Sequence, residues 1–207
     1  LRQLLQTYTD AGIKSLVALR GDMPSGVGAA VQHRYANELI EFIRAQTGDQ
    51  FHIDVACYPE AHPESKSFSS DVDFFKRKVD AGANSSITQY FYNPDAYFRF
   101  VDYCRTAGID IPIVPGIMPI TNYANLARFS ASCGAEIPRW LDKRLKGFGD
   151  DKESLRSFGI DVVTELCEDL LQGGAPGLHF YSMNLSQAVT QIWTNLDLGN
   201  RPQRELL

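Results

Sequence analysis

Short, unbroken apolar runs alternate along this chain with longer segments whose apolar residues recur at helical spacing. The first run, 16–19, leads into Arg20-Gly21-Asp22 and then Pro24. A short apolar run that ends at glycine and proline is typical of a parallel strand buried on both faces. Four similar runs follow. The predicted strands cover residues 15–19, 53–57, 86–92, 111–114 and 178–181.

Helical patterns separate these strands. Asn93-Pro94 predicts a capped helix start, and Thr121 or Asn122 caps a later helix. The predicted helices cover part of 1–14, then 31–45, 70–81, 94–107, 122–132, 138–145, 152–172 and 186–196. The connections are too long for hairpins, so the alternation predicts a right-handed parallel sheet or barrel.

The expected fold is therefore α/β, with one domain over residues 1–207 because no linker or low-complexity segment interrupts it. Eight β/α units need about 250 residues. This chain has five such units, and it starts with the helix of a preceding unit. The sequence therefore predicts a (β/α)8 TIM barrel with about strands 4–8 in this chain, incomplete at its N-terminus.

Composition narrows the class of protein. The chain has 207 residues, of which 44% are hydrophobic and 22% charged, as in ordinary globular domains. A net charge of −5 argues against a nucleic-acid partner, and no apolar run approaches a membrane span. Four scattered cysteines and the lack of a signal peptide predict reduced thiols and a cytoplasmic location.

Polar side chains follow each predicted strand. In parallel α/β folds the carboxyl ends of the strands form the ligand-binding edge, so these residues are expected to converge. Individually they also have structural interpretations: Arg20 and Asp22 could form a loop ion pair, and Lys76-Arg77-Lys78 could be a solvated helix face. The strand-exit residues are Arg20, Asp22, Tyr58, Glu60, His62, Gln89, Asn122 and Asn184.

The sequence contains no metal-ligand spacing, phosphate-binding glycine loop, dinucleotide fingerprint or serine elbow. This leaves chemistry by ionic groups or by a bound organic cofactor. Arg20, His62, Arg77 and Lys78 could hold a phosphorylated cofactor. The rings of Tyr35 and Tyr58 offer flat surfaces for stacking.

Six ordered segments resemble the methylenetetrahydrofolate reductase family: 18–22, 58–64, 76–83, 87–89, 115–119 and 179–181. The resemblance spans nearly the whole chain. It implies a barrel that reduces 5,10-methylenetetrahydrofolate to 5-methyltetrahydrofolate, with FAD as cofactor and NADH or NADPH as electron donor. It also implies a homo-oligomer of the short, bacterial type, with no membrane partner.

The resemblance also implies roles for single residues. Asp22 would lie beside the flavin and the pterin, where a carboxylate stabilises the cationic iminium that accepts hydride. Gln89, Asn125 and Phe129 would contact the folate. The implied cofactor-binding residues are Arg20, Gly21, Asp22, Tyr35, Ala36, Tyr58, His62, Ser65, Asp71, Arg77 and Lys78.

Departures from the family pattern qualify this expectation. Leu185 stands where an arginine often contacts the folate. The family's general-acid glutamate belongs to a first-strand Phe-Glu-Phe-Phe-Pro-type motif that this chain lacks, so this stretch alone is not expected to be a competent enzyme.

Two other functions are compatible with a barrel of this kind. A catalytically inactive barrel remnant could serve as a binding or assembly partner, although its ligand positions would then be expected to decay. A barrel lyase or aldolase would need a Schiff-base lysine at a strand end, and none of the five strand exits offers one.

Overall fold

The computed structural model describes residues 1–19 and 35–199. Arg20, Gly21 and Asp22 lie outside these ranges, as does the predicted helix start near residue 31. The helices are α1 (Arg2–Asp10), α2 (Ala36–Thr47), α3 (Phe68–Asp80), α4 (Pro94–Thr106), α5 (Tyr123–Cys133), α6 (Arg139–Gly147), α7 (Lys152–Gln172) and α8 (Ser186–Asn195). The strands are β1 (Ser15–Ala18), β2 (His52–Cys57), β3 (Ser85–Thr88), β4 (Ile113–Val114), β5 (Gly116–Ile117) and β6 (His179–Phe180).

Local capping sets several helix starts, as the sequence predicts. Asn93 precedes Pro94, and its side chain accepts a hydrogen bond from the main-chain nitrogen of Asp95 at 3.1 Å. Asn122, rather than Thr121, caps α5. Its Oδ1 accepts from the nitrogen of Asn125 at 2.9 Å, which satisfies a donor that the first helical turn leaves unpaired.

Within residues 1–19 and 35–199, all paired strands run parallel. One sheet has the order β1-β2-β3-β4, and a second pairs β5 with β6. The α/β class with parallel strands is confirmed. Closure into an eight-stranded barrel stays a prediction.

The predicted strand 111–114 is wrong in its extent, because Pro115 divides this part of the chain into β4 and β5. Proline has no N–H to donate, so the pairing changes partner there. Before Pro115, β4 pairs with β3. The carbonyl of Pro115 itself accepts a hydrogen bond from the nitrogen of His179, at the start of β6, at 3.0 Å. The segment 113–117 thereby connects the two sheets.

The sheet is covered by helices on one face. Ile53, Val55 and Cys57 of β2 are almost fully buried in the core that α2 and α3 help to form. The prediction that the first strand is buried on both faces is wrong: Ala18 is buried, but Val17 is 54% exposed. Within the described residues β1 pairs only with β2, so it is an edge strand.

The third predicted strand, 86–92, is also too long, since β3 ends at Thr88. Tyr90, Phe91 and Tyr92 are nevertheless buried. The Tyr92 hydroxyl donates to the main-chain oxygen of Met118 at 3.2 Å, which satisfies a polar group in the core. Residues 90–92 are therefore apolar because they pack in the protein core, and not because they pair in a sheet.

All four cysteines are free thiols, and Cys57, Cys104 and Cys167 are buried. Burial raises the pKa of Cys57 to about 12. Across residues 1–19 and 35–199, no helix combines the length and the apolar character needed to span a bilayer.

Candidate functional site

Thr88, at the carboxyl end of β3, contacts both the start of β5 and the residue that follows β6. Its hydroxyl oxygen accepts from the nitrogen of Gly116 at 2.9 Å, and its carbonyl accepts from the Tyr181 hydroxyl at 2.9 Å. A Cβ on Gly116 would stand 2.1 Å from the Thr88 carbonyl oxygen, so only glycine permits this approach. The end of β3, the start of β5 and the exit of β6 are therefore held together.

The loop between β2 and α3 is organised by Asp71, in the first turn of α3. This carboxylate is buried, and Oδ2 accepts from the main-chain nitrogen of His62 at 3.1 Å. Oδ1 accepts from the Ser65 hydroxyl at 2.8 Å. Both oxygens are thus used inside the protein, and Asp71 holds two of the three other predicted cofactor residues on this loop, His62 and Ser65.

Tyr58 and His62 form an aromatic surface on this loop. Their rings meet edge to face, with centroids 4.6 Å apart. The Nδ1 atom of His62 accepts from the nitrogen of Glu64 at 3.0 Å, so the proton of the neutral ring is on Nε2. The pair therefore offers a flat tyrosine ring beside an imidazole N–H donor.

The basic run of α3 divides among different environments. Lys76 forms an exposed ion pair with Asp80 at 3.1 Å, as expected of a solvated face. Lys78 instead donates from Nζ to the carbonyl of Ala56, near the end of β2, at 2.5 Å. Burial lowers the pKa of Lys78, and the opposing effects of Cys57 and Asp71 are smaller. The solvated-face interpretation therefore fails for Lys78.

Three further predicted cofactor residues within the described ranges lie at or beside α2. Arg77 is exposed, with its guanidinium 5.2 Å from the ring centre of Phe74. It lines a surface groove together with Asn37 and Glu41 of α2. Tyr35 is the N-cap of α2, and Ala36 is its first residue. The structure therefore brings Tyr58, His62 and Ser65 of the β2–α3 loop together with Asp71 of α3. Arg77 instead faces the groove between α2 and α3.

Gln89 follows β3 and lies beside the same loop. Its nitrogen donates to the Cys57 carbonyl at 2.8 Å, and its side-chain oxygen accepts from the nitrogen of Tyr90 at 3.0 Å. Gln89 and Glu60 both line a small cavity beside this loop. Burial raises the pKa of Glu60, whose Oε2 accepts from the nitrogen of Glu136 at 2.8 Å. This contact attaches the loop to the chain that follows α5.

A cavity of about 230 Å³ opens between the β5–α5 and β6–α8 connections. Its lining includes the predicted substrate residues Asn125 and Phe129, together with Tyr181 and Leu185. Arg128 also lines it and was missed by the sequence analysis. The available signal was its helical spacing, since it follows Asn125 by three residues and directly precedes Phe129.

Comparison with known proteins identifies the family. The sequence model of methylenetetrahydrofolate reductase matches residues 1–197. The chain belongs to this family. It is 40% identical over 202 residues to the 5,10-methylenetetrahydrofolate reductase of Escherichia coli K12, covering 98% of this chain and 66% of that protein. It is 41% identical over 207 residues to methylenetetrahydrofolate reductase (NADH) 1 of Zea mays, covering 94% of this chain and 35% of that protein.

The resemblance carried by the six sequence segments is thereby confirmed. The chain spans about two thirds of the length of the bacterial reductase and about a third of the plant one. A solved structure with a related fold is an uncharacterised protein from Clostridium thermocellum described as binding two copies of 5-methyl-5,6,7,8-tetrahydrofolic acid. The two structures match with a TM-score of 0.57 and 20% sequence identity, and the match covers 93% of this chain and 77% of that protein's chain. That likeness supports the fold.

Proposed function

We propose that this chain is the larger part of a catalytic barrel that reduces 5,10-methylenetetrahydrofolate to 5-methyltetrahydrofolate, with FAD as cofactor and NADH or NADPH as electron donor. The observation that carries the proposal is the family match over residues 1–197. The bacterial relative bears the name of this activity, and the plant relative's name includes NADH, which favours NADH as the donor.

The chemistry of the β2–α3 loop fits a phosphorylated flavin cofactor. Lys78 is a largely buried cation, and no carboxylate in the described ranges lies within ion-pair distance of it. Cofactor phosphate oxygens would offset its desolvation. The His62 Nε2–H donor and the Tyr58 ring face add a hydrogen bond and a stacking surface. When bound, FAD would supply the hydride transfer.

The chain's own residues then bind and orient the substrate. Phe129 would stack on the folate or the nicotinamide, and Asn125 and Gln89 would hydrogen bond to the folate. Asp22 would stabilise the cationic iminium through its negative charge. The general acid that protonates the folate nitrogen is expected on a first strand that this sequence does not contain. We also propose a cytoplasmic, homo-oligomeric protein.

A visible absorption spectrum of the protein, expressed with its natural upstream sequence, tests the proposal. We expect a flavin band that bleaches on anaerobic addition of NADH and returns on addition of 5,10-methylenetetrahydrofolate. Asp22→Asn should bleach with NADH but return much more slowly with folate. A colourless protein that fails to take up added FAD would overturn the proposal.

The inactive-remnant alternative is not favoured by the comparisons, which match named reductases over almost the entire chain. It predicts a protein that folds but neither retains flavin nor oxidises NADH. The absorption experiment therefore separates the two functions with one sample.

A further inference from the structure

We propose that Arg128 binds the glutamate carboxylate of the folate substrate, an inference that rests on the proposed function. Folates carry a glutamate tail that is anionic at neutral pH. The tail needs a cation, and Leu185, where the family often has an arginine, offers none. Among the described residues that line the 230 Å³ cavity, Arg128 is the one cationic side chain.

The geometry of Arg128 suits a carboxylate. Its Nη2 donates to Oδ1 of Asn125 at 3.3 Å, a contact that orients the guanidinium. Its Cζ lies 5.4 Å from the ring centre of Phe129. No carboxylate in the described part of the chain lies within ion-pair distance of Arg128. A guanidinium has five N–H donors, so a fork remains for a bidentate carboxylate.

Three side chains of α5 together match the outer half of a folate. Asn125, Arg128 and Phe129 stand at helical spacings of three and four residues and therefore share one face of the helix. The folate has an aryl ring joined through an amide to its glutamate. An aromatic side chain beside a cation is complementary to that arrangement. Leu185, 61% exposed on the opposite wall, can contribute apolar contact only.

An arginine in this cavity could also meet a phosphate of the nicotinamide nucleotide. The two anions have the same charge-assisted hydrogen-bond chemistry, so ligand comparison must separate them. The contact between Arg128 and Phe129, the expected aryl-stacking residue, favours the folate carboxylate.

The test uses the full-length holoenzyme. It measures dissociation constants for 5-methyltetrahydrofolate and for the corresponding 5-methyltetrahydropteroylamide (the pteroylamide), a neutral compound that keeps the pterin and the aryl ring but lacks the glutamate. Arg128→Gln should weaken 5-methyltetrahydrofolate binding by about tenfold or more, the usual scale for a charge-assisted pair. It should leave pteroylamide binding and the KM for NADH unchanged. Arg128→Lys, which keeps the charge but not the fork, should show a smaller loss.

Arg156→Gln is the matched control, because Arg156 of α7 is also an exposed helical arginine and lines a different groove. Unchanged 5-methyltetrahydrofolate affinity in Arg128→Gln would overturn the inference alone. Equal losses for both folates, or a loss confined to NADH, would also overturn it. A wild-type protein that binds neither folate would instead remove the proposed function, and this inference with it.

Discussion

The carboxylate of Asp71 accepts a hydrogen bond from the Ser65 hydroxyl at 2.8 Å, while its second oxygen accepts one from the main-chain nitrogen of His62. A buried side chain in the first turn of α3 thus fixes a loop that is otherwise half exposed. The resemblance to the family assigns Asp71 to cofactor binding, and these contacts suggest that it acts by positioning the loop.

Asp71→Ala should therefore weaken flavin binding by releasing His62 and Ser65. Loss of two hydrogen bonds to a charged group costs about 3 kcal/mol, so we expect the dissociation constant for FAD to rise at least tenfold. Flavin fluorescence quenching on titration into apoprotein measures it. Ser65→Ala removes one of the two contacts and should have a smaller effect. Unchanged FAD affinity in Asp71→Ala would show that the loop geometry does not control cofactor binding.

Local sequence signals predicted the helices well. Asn93, Pro94 and Asn122 act within four residues of their own position, so capping needs no knowledge of tertiary structure. The limits of α7, 152–172, were predicted fully for the same reason, with Gly173 at its end.

Strand extents were predicted poorly because they depend on partners far away in sequence. Tyrosine is common in strands, so the sequence places Tyr90 and Tyr92 in one. However, β3 ends at Thr88, because the segment that pairs with β3 changes partner at Pro115. Val17 is apolar as a buried strand would require, yet its exposure depends on what covers the other face of the sheet. The candidate site shows the same limit: the sequence does not distinguish Lys78, which donates to the Ala56 carbonyl, from Lys76, which pairs with Asp80 at the surface.

A stability prediction concerns Arg44 of α2, which binds the turn after α3. Its guanidinium donates twice to the Gly82 carbonyl, at 3.0 and 2.6 Å, and once to that of Phe51 at 2.8 Å. Arg44→Met keeps the aliphatic stem but leaves these partly buried carbonyls unpaired. We expect a loss of about 2–4 kcal/mol in the free energy of unfolding, measured by urea denaturation. Arg156→Met should change it little; equal values for the two variants would contradict this role of Arg44.

Gly159 permits α7 to approach the chain before α5. A Cβ there would lie 2.3 Å from the main-chain oxygen of Ile120 and 2.8 Å from its Cβ. Gly159→Ala should force the helix away and destabilise the protein by about 2–3 kcal/mol, the scale of an overpacked core. The matched control is Gly147→Ala at the end of α6, where a Cβ meets nothing within 4 Å. That change should be neutral or slightly stabilising, and thermal unfolding of both variants distinguishes close packing from a general effect of alanine.

His179 should make stability depend on pH in the mildly acidic range. Burial lowers the pKa of His179 below its usual 6.5, and the opposing effect of the Asp54 charge is smaller. The unfolded chain then binds a proton more readily than the folded one, so stability falls as pH decreases from about 6.5 toward the folded pKa. The centre of its imidazole ring lies 5.1 Å from the centre of the phenol ring of Tyr181, which lines the 230 Å³ cavity. Urea denaturation between pH 7.5 and 5.0 should show this loss, and His179→Gln should reduce it. An NMR titration giving His179 a pKa above 6.5 would reverse the expected sign.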